Sequence, residues 1–161
     1  MGEEQIVIMI SVLTTAILAT SDMQASPVPI LPPCAARPNC VSSQAGDSHH
    51  IEPFRVAGDA GGAFEKLRGL LAGRSDTTLV SADRTVIRVE FRTILGFVDD
   101  GLFVSDSANG LIHIRSAARL GNWDLGKNRS RIEEIRRAFE EVNGFSSSRE
   151  CLHSGNGNKQ A

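Results

Sequence analysis

The sequence predicts an α+β domain: an antiparallel sheet of about four strands with two helices packed on one of its faces. Three observations carry that reading. Residues 85–92 (TVIRVEFR) alternate, with Thr85, Ile87, Val89 and Phe91 on one side and Val86, Arg88, Glu90 and Arg92 on the other, the pattern of a sheet covered on one face only. Helical apolar stripes stand before and after the strand candidates. The connections between strands are short, which suits antiparallel pairing and leaves no room for the crossover helices of a parallel α/β fold.

Taken in order, Asp59 is placed to cap a first helix whose stripe is Phe64, Leu67, Leu70 and Leu71, and Gly73 to end it. Residues 77–82 form a strand candidate, Asp83-Arg84 a turn, and residues 85–92 the alternating strand. Residues 97–105 and 111–117 flank the turn Ser107-Ala108-Asn109-Gly110, whose Asn-Gly pair suits a hairpin. A second helix is expected from about residue 129 to 142. In it Ser130 and Glu133 have capping-box spacing, Ile132, Ile135, Phe139 and Val142 give the buried stripe, and Gly144 closes the end.

The ends of the chain read differently. Residues 6–19 (IVIMISVLTTAILA) are uncharged and as long as a signal-peptide core, but short of the roughly 20 residues that span a bilayer. Small residues at Ala19 and Ser21 suit cleavage before Asp22, whereas Glu3 and Glu4 stand where a signal carries Lys or Arg. An uncleaved anchor and a buried N-terminal element are therefore the alternatives to an export signal. Met1-Gly2 is no myristoylation signal, because Ile6 stands where Ser or Thr is required. Pro27, Pro29, Pro32 and Pro33 exclude a helix and mark an extended spacer. Residues 146–161, with Ser146-Ser147-Ser148 and Gly155-Asn156-Gly157-Asn158, have nothing to bury. The expected organisation is a signal peptide or membrane anchor at 1–21, a spacer at 22–33, one α+β domain at 34–145 and a tail at 146–161, in an extracytoplasmic protein, periplasmic or secreted.

Composition narrows the function classes. The 161 residues carry 17 basic and 19 acidic side chains, a formal charge of −2, which gives no global basic field for nucleic acid. The three cysteines, Cys34, Cys40 and Cys151, form no C-x-x-C pair of the zinc or thioredoxin kind. No cofactor is indicated.

Several blocks then resemble a known family. Cys34 with Arg37-Pro38-Asn39-Cys40-Val41-Ser42-Ser43-Gln44, Gly96-Phe97-Val98-Asp99-Asp100, residues 114–121 (IRSAARLG), Asp124-Leu125-Gly126, Asn128-Arg129 and Arg131-Ile132 are together similar to the domain of unknown function 1499 family. The resemblance covers residues 34–142. It implies proteins that are often exported or lipid-anchored, and it transfers no activity, cofactor or catalytic residue.

The candidate chemistry is sparse. Residues 121–128 (GNWDLGKN) satisfy G-x-x-x-x-G-K, but Asn128 replaces the magnesium-binding hydroxyl and Asp124 puts a carboxylate where phosphates would sit, so a connecting loop is expected. In an exported chain Cys34 and Cys40 suit a disulfide closing a short loop, worth about 2 kcal/mol on the chain-entropy account. The competing reading is Cys40 as a nucleophile activated by His49, His50 or His113, for which no local signature stands in the sequence. Cys151 stands alone in the tail. Asp99 and Asp100 are adjacent on a strand and face opposite ways, so in place of a carboxylate dyad one is expected to pair with Arg115 or Arg119 and the other to accept backbone N–H bonds in a turn. His49-His50 lack the i, i+4 spacing of helical metal ligands, and no metal site is expected.

The main ligand-binding candidates are Arg115, Ser116, Arg119, Asn128, Arg129 and Arg131, at a strand end, the following loop and a helix N-terminus. Arginine forks and free helix N–H groups are what an anion needs, while the same arginines can instead neutralise Asp99, Asp100 or Asp124 in a structural network. The expected function is a non-enzymatic domain that binds an anionic small molecule, a lipid headgroup or a protein partner through residues 115–131, with membrane association through the N-terminal segment. The alternatives are a small hydrolase using Asp99 or Asp100 with Arg115 or Arg119, and a purely structural accessory protein.

Overall fold

The structure, a computed structural model, describes residues 30–144; the leader, the spacer up to residue 29, Cys151 and the tail lie outside the described residues. The elements run β1 (Cys40–Ser42), β2 (Phe54–Arg55), α1 (Ala60–Ala72), β3 (Thr77–Ala82), β4 (Val86–Arg92), β5 (Val98–Asp106), β6 (Leu111–Ala118) and α2 (Lys127–Val142). All strands pair antiparallel in one sheet of order β1-β6-β5-β4-β3, with β2 also on β6. The α+β class is as the sequence predicts. The sheet has six strands instead of about four, because β1 and β2 are three and two residues long, too short to show alternation.

Those two short strands share one edge of β6. β1 pairs with residues 115–117 and β2 with residues 111–112. Ser43 fills the interval between them: its N–H donates to Ile114 O at 2.8 Å, and its Oγ accepts from Ile114 N at 2.9 Å. A side chain thus completes the ladder where the backbone leaves it. At the far edge, β3 slips register against β4 between Leu79 and Ser81, leaving Val80 exposed.

Both helices lie on the same face of the sheet. Phe64, Leu67 and Leu71 of α1 and Ile132, Ile135 and Phe139 of α2 join Ile87, Val89, Phe91, Phe103, Ile112 and Ile114 in a single core. Gly101 of β5 makes the tightest part of it, since a Cβ there would stand 2.4 Å from the Phe91 ring and 2.5 Å from Val89 Cγ2. Asp59 caps α1 by accepting from Gly61 N at 3.0 Å. The start of α2 departs from expectation: Ser130 is inside the helix, and the cap position is Gly126 with φ 74°. Asp124 supplies the capping oxygens instead, accepting from Gly126 N at 3.0 Å and Asn128 N at 2.9 Å.

The other face of the sheet is not bare. Residues 30–33, which the sequence places in the spacer, lie across it as a strap. Leu31 is buried against Leu102 and Val104, beside Val86. Its N–H donates to Gln44 Oε1 at 2.7 Å. The Cys34–Cys40 disulfide ties the strap to β1, with Cα atoms 5.7 Å apart.

Candidate functional site

The six ligand-binding candidates fall into four settings. Ser116, Asn128 and Arg131 are buried and bound to one another. Ser116 Oγ donates to Asn128 Oδ1 at 2.5 Å, and Asn128 Nδ2 donates to Asp124 Oδ2 at 2.8 Å and Asn39 O at 3.2 Å. Arg131 Nη1 donates to Asp99 Oδ2 at 2.8 Å, and its guanidinium lies 4.6 Å over the Phe91 ring. Asp76 is 3.9 Å from Arg131 Nε. Burial pushes the Asp76 carboxyl up, but hydrogen bonds from Arg74 and Thr77 and the charges of Arg74 and Arg131 outweigh it and hold the group below its ordinary value. This cluster knits α2 to the sheet. As an anion site it fails on access, and the helix N-terminus an anion would seek already holds Asp124's own carboxylate.

Arg119 lies on the outer face. It donates to Asp100 at 2.7 and 3.1 Å and to Glu90 at 2.7 Å. Those hydrogen bonds hold its guanidinium above the ordinary arginine range. Arg115 reaches the strap, with Nη2 3.5 Å from Pro33 O and Nε buried without an acceptor. Burial lowers its guanidinium below the ordinary range, against the charge of Asp100. Arg129 donates to Ser48 O at 3.0 Å, tying α2 to the loop after β1. The four arginines therefore brace four different contacts, and they do not converge on one cavity.

The carboxylates follow strand geometry. Asp99 faces the core and Arg131, whereas Asp100 faces outward to Arg119, so the two address no common point. Cys40 is bonded to Cys34 and has no free thiol. His49 Nδ1 donates to Cys40 O at 2.9 Å and His50 Nδ1 to Ala45 O at 3.1 Å. Among the described residues no group of three or more His, Cys, Asp or Glu side chains is placed to hold a metal.

One constellation is absent from the sequence reading. His113 Nδ1 lies 3.2 Å from Ser43 Oγ, and His113 Nε2 lies 3.5 Å from Asp106 Oδ2, all three residues being buried. The residue types are those of a hydrolytic triad, but Ser43 Oγ is spent on Ile114 N and Asp106 on Asn109. Ser43 and His113 are themselves buried. Ser43 bridges the split edge of β6, while the buried His113 Nε2 makes no hydrogen bond.

The most unusual surface is apolar. β4 ends and β5 begins with the pair Arg92–Val98, and β6 ends beside them, Arg119 N donating to Val98 O at 3.2 Å. Loops 93–97 and 119–126 consequently leave the same end of the sheet side by side. They expose Ile94, Leu95, Phe97, Leu120, Trp123 and Leu125, with Ile94 fully exposed, Leu95 at 82% and Leu125 at 81%. The first loop is held by Thr93, whose N–H donates to Phe97 O and whose Oγ1 accepts from Phe97 N at 3.0 Å. In the second, Leu125 has φ 54°, a left-handed conformation that a leucine adopts only at a cost. The signal in the sequence is Ile94-Leu95 standing inside a turn, where polar residues are the rule.

No curated protein and no solved structure matches this chain. The blocks that bracket the buried Arg131–Asp99 cluster and both loops of the apolar end do match a family model, that of a protein of unknown function (DUF1499), over residues 30–139, and the chain belongs to the domain of unknown function 1499 family.

Proposed function

We propose that the protein is a non-enzymatic docking domain, exported or tethered through its apolar N-terminal segment, that meets its partner with loops 93–97 and 119–126. The observation that carries this reading is the gathering of six exposed large apolar side chains at one end of the sheet. The second loop lies inside the segment 115–131 that the sequence nominates for binding. The arginines of that segment serve a different part in this reading: Arg131 and Arg119 are neutralised by Asp99, Asp100 and Glu90, and they hold the loop in place. An anionic small molecule finds less support than a partner with an apolar surface. A hydrolase using Asp99 or Asp100 is likewise disfavoured, because each carboxylate is already paired on its own face.

The test is site-specific protection in living cells. Leu95→Cys and, at the opposite end of the β5–β6 hairpin, Ser107→Cys are labelled with a maleimide in intact expressing cells and as purified full-length proteins. Docking predicts that labelling at position 95, relative to position 107, falls several-fold in cells. An equal ratio in both settings would overturn the reading.

A further inference from the structure

We infer that the partner of this apolar end is the interface of a lipid bilayer, an inference that rests on the docking role proposed above. Loop 93–97 carries no charge, and Ile94, Leu95 and Leu125 are each more than 80% exposed, so each projects into solvent. Projecting side chains suit a fluid that closes around them. A protein partner would require pockets matched to each, whereas an interfacial bilayer region needs only depth. Trp123 stands among them and is the only tryptophan of the chain, a residue whose ring and N–H favour the headgroup level.

Charge and tether agree with this occupant. Arg37 and Lys127 are exposed around the apolar end, where Arg92 stands 3.8 Å from Glu90, and Arg37 belongs there because Asn39 O accepts from Ala118 N at 3.0 Å. Such cations attract anionic headgroups. Residues 20–29 separate the apolar run 6–19 from Ile30, and extended they reach about 33 Å, enough to let a domain held by that run lie against the same membrane. The conformation of Leu125 adds an independent sign. A residue held at φ 54° while exposed gains nothing for the fold from being leucine, so its side chain serves something outside the fold.

The experiment uses the full-length protein mixed with vesicles of phosphatidylcholine and phosphatidylglycerol, with Trp123 as the sole tryptophan reporter. Insertion predicts a blue shift of its emission, lower access for acrylamide, and quenching by phosphatidylcholine brominated in the acyl chains. In Ile94→Ser/Leu95→Ser the apparent vesicle affinity read at Trp123 is expected to drop by at least about tenfold, the effect of losing part of the burial of two aliphatic side chains. Leu125→Asn, which suits the left-handed backbone, is expected to weaken quenching without loss of thermal stability, so that a folding defect cannot produce the result. Trp123 emission and acrylamide access unchanged by vesicles would overturn the membrane assignment. If position 95 is nonetheless protected in cells, the docking role stands with a protein as partner; if both readouts fail, both inferences fall.

Discussion

Arg131 shows how a single side chain holds this domain together. Its guanidinium is buried between Asp99 and the Phe91 ring, so removing Asp99 leaves the buried cation with only the more distant carboxylate of Asp76, 3.9 Å from Nε. Asp99→Asn is expected to lower the unfolding free energy by about 3–5 kcal/mol in urea titrations, whereas Asp99→Leu with Arg131→Met should lose much less. Asp76 adds a pH dependence of known sign. Its carboxyl sits below the ordinary value in the folded chain, so the unfolded state binds the proton more readily and stability rises with pH. The contribution is present above the ordinary carboxyl range and is lost as pH falls through the folded value; Asp76→Asn should flatten the acid limb of a stability–pH curve. At Gly101 the expected response is steric, because an added methyl group meets Phe91 and Val89, and Gly101→Ala should cost about 1–3 kcal/mol.

Among the elements, the start of α2 separates what the chain makes legible from what it conceals. The helix itself is plain from Ile132, Ile135 and Phe139, all buried. Its cap is not, because Ser130-x-x-Glu133 has the spacing of a capping box while the oxygens that serve the helix come from Asp124, before a glycine in the left-handed region. Two substitutions distinguish the alternatives: Asp124→Ala should cost about 0.5–2 kcal/mol, and Ser130→Ala should stay within about 0.5 kcal/mol. Strand β4 is legible because its period-two alternation accumulates over seven residues, and β5 and β6 are legible from the Asn109-Gly110 turn that separates them. β1 and β2 are not, because their order comes from tertiary pairing with β6 and from the Ser43 hydroxyl. The strap is legible only as proline-rich, extended chain; its docking depends on Leu31 meeting Leu102 and Val104, which no local pattern announces.

For the molecule as a whole, the candidate site was half visible. The segment 115–131 stands out in the sequence through its arginines, yet folding turns three of the six nominated side chains inward and leaves Leu120, Trp123 and Leu125 outward. Residue type alone cannot say which of two neighbours a strand end or a cap will bury. The apolar end also needs loop 93–97, brought beside it only by the β4–β5–β6 meander. The two edges of the sheet carry a separate consequence. β3 is broken by its register slip, and the opposite edge is divided between β1 and β2, with residues 49–51 laid along β1 through Ser42 N to His49 O at 3.0 Å and Ile51 N to Ser42 O at 3.2 Å. Neither edge presents a long, regular row of free backbone groups to a neighbouring copy. A domain crowded among copies of itself can therefore remain a separate unit, because strand addition from one sheet to the next finds no continuous template.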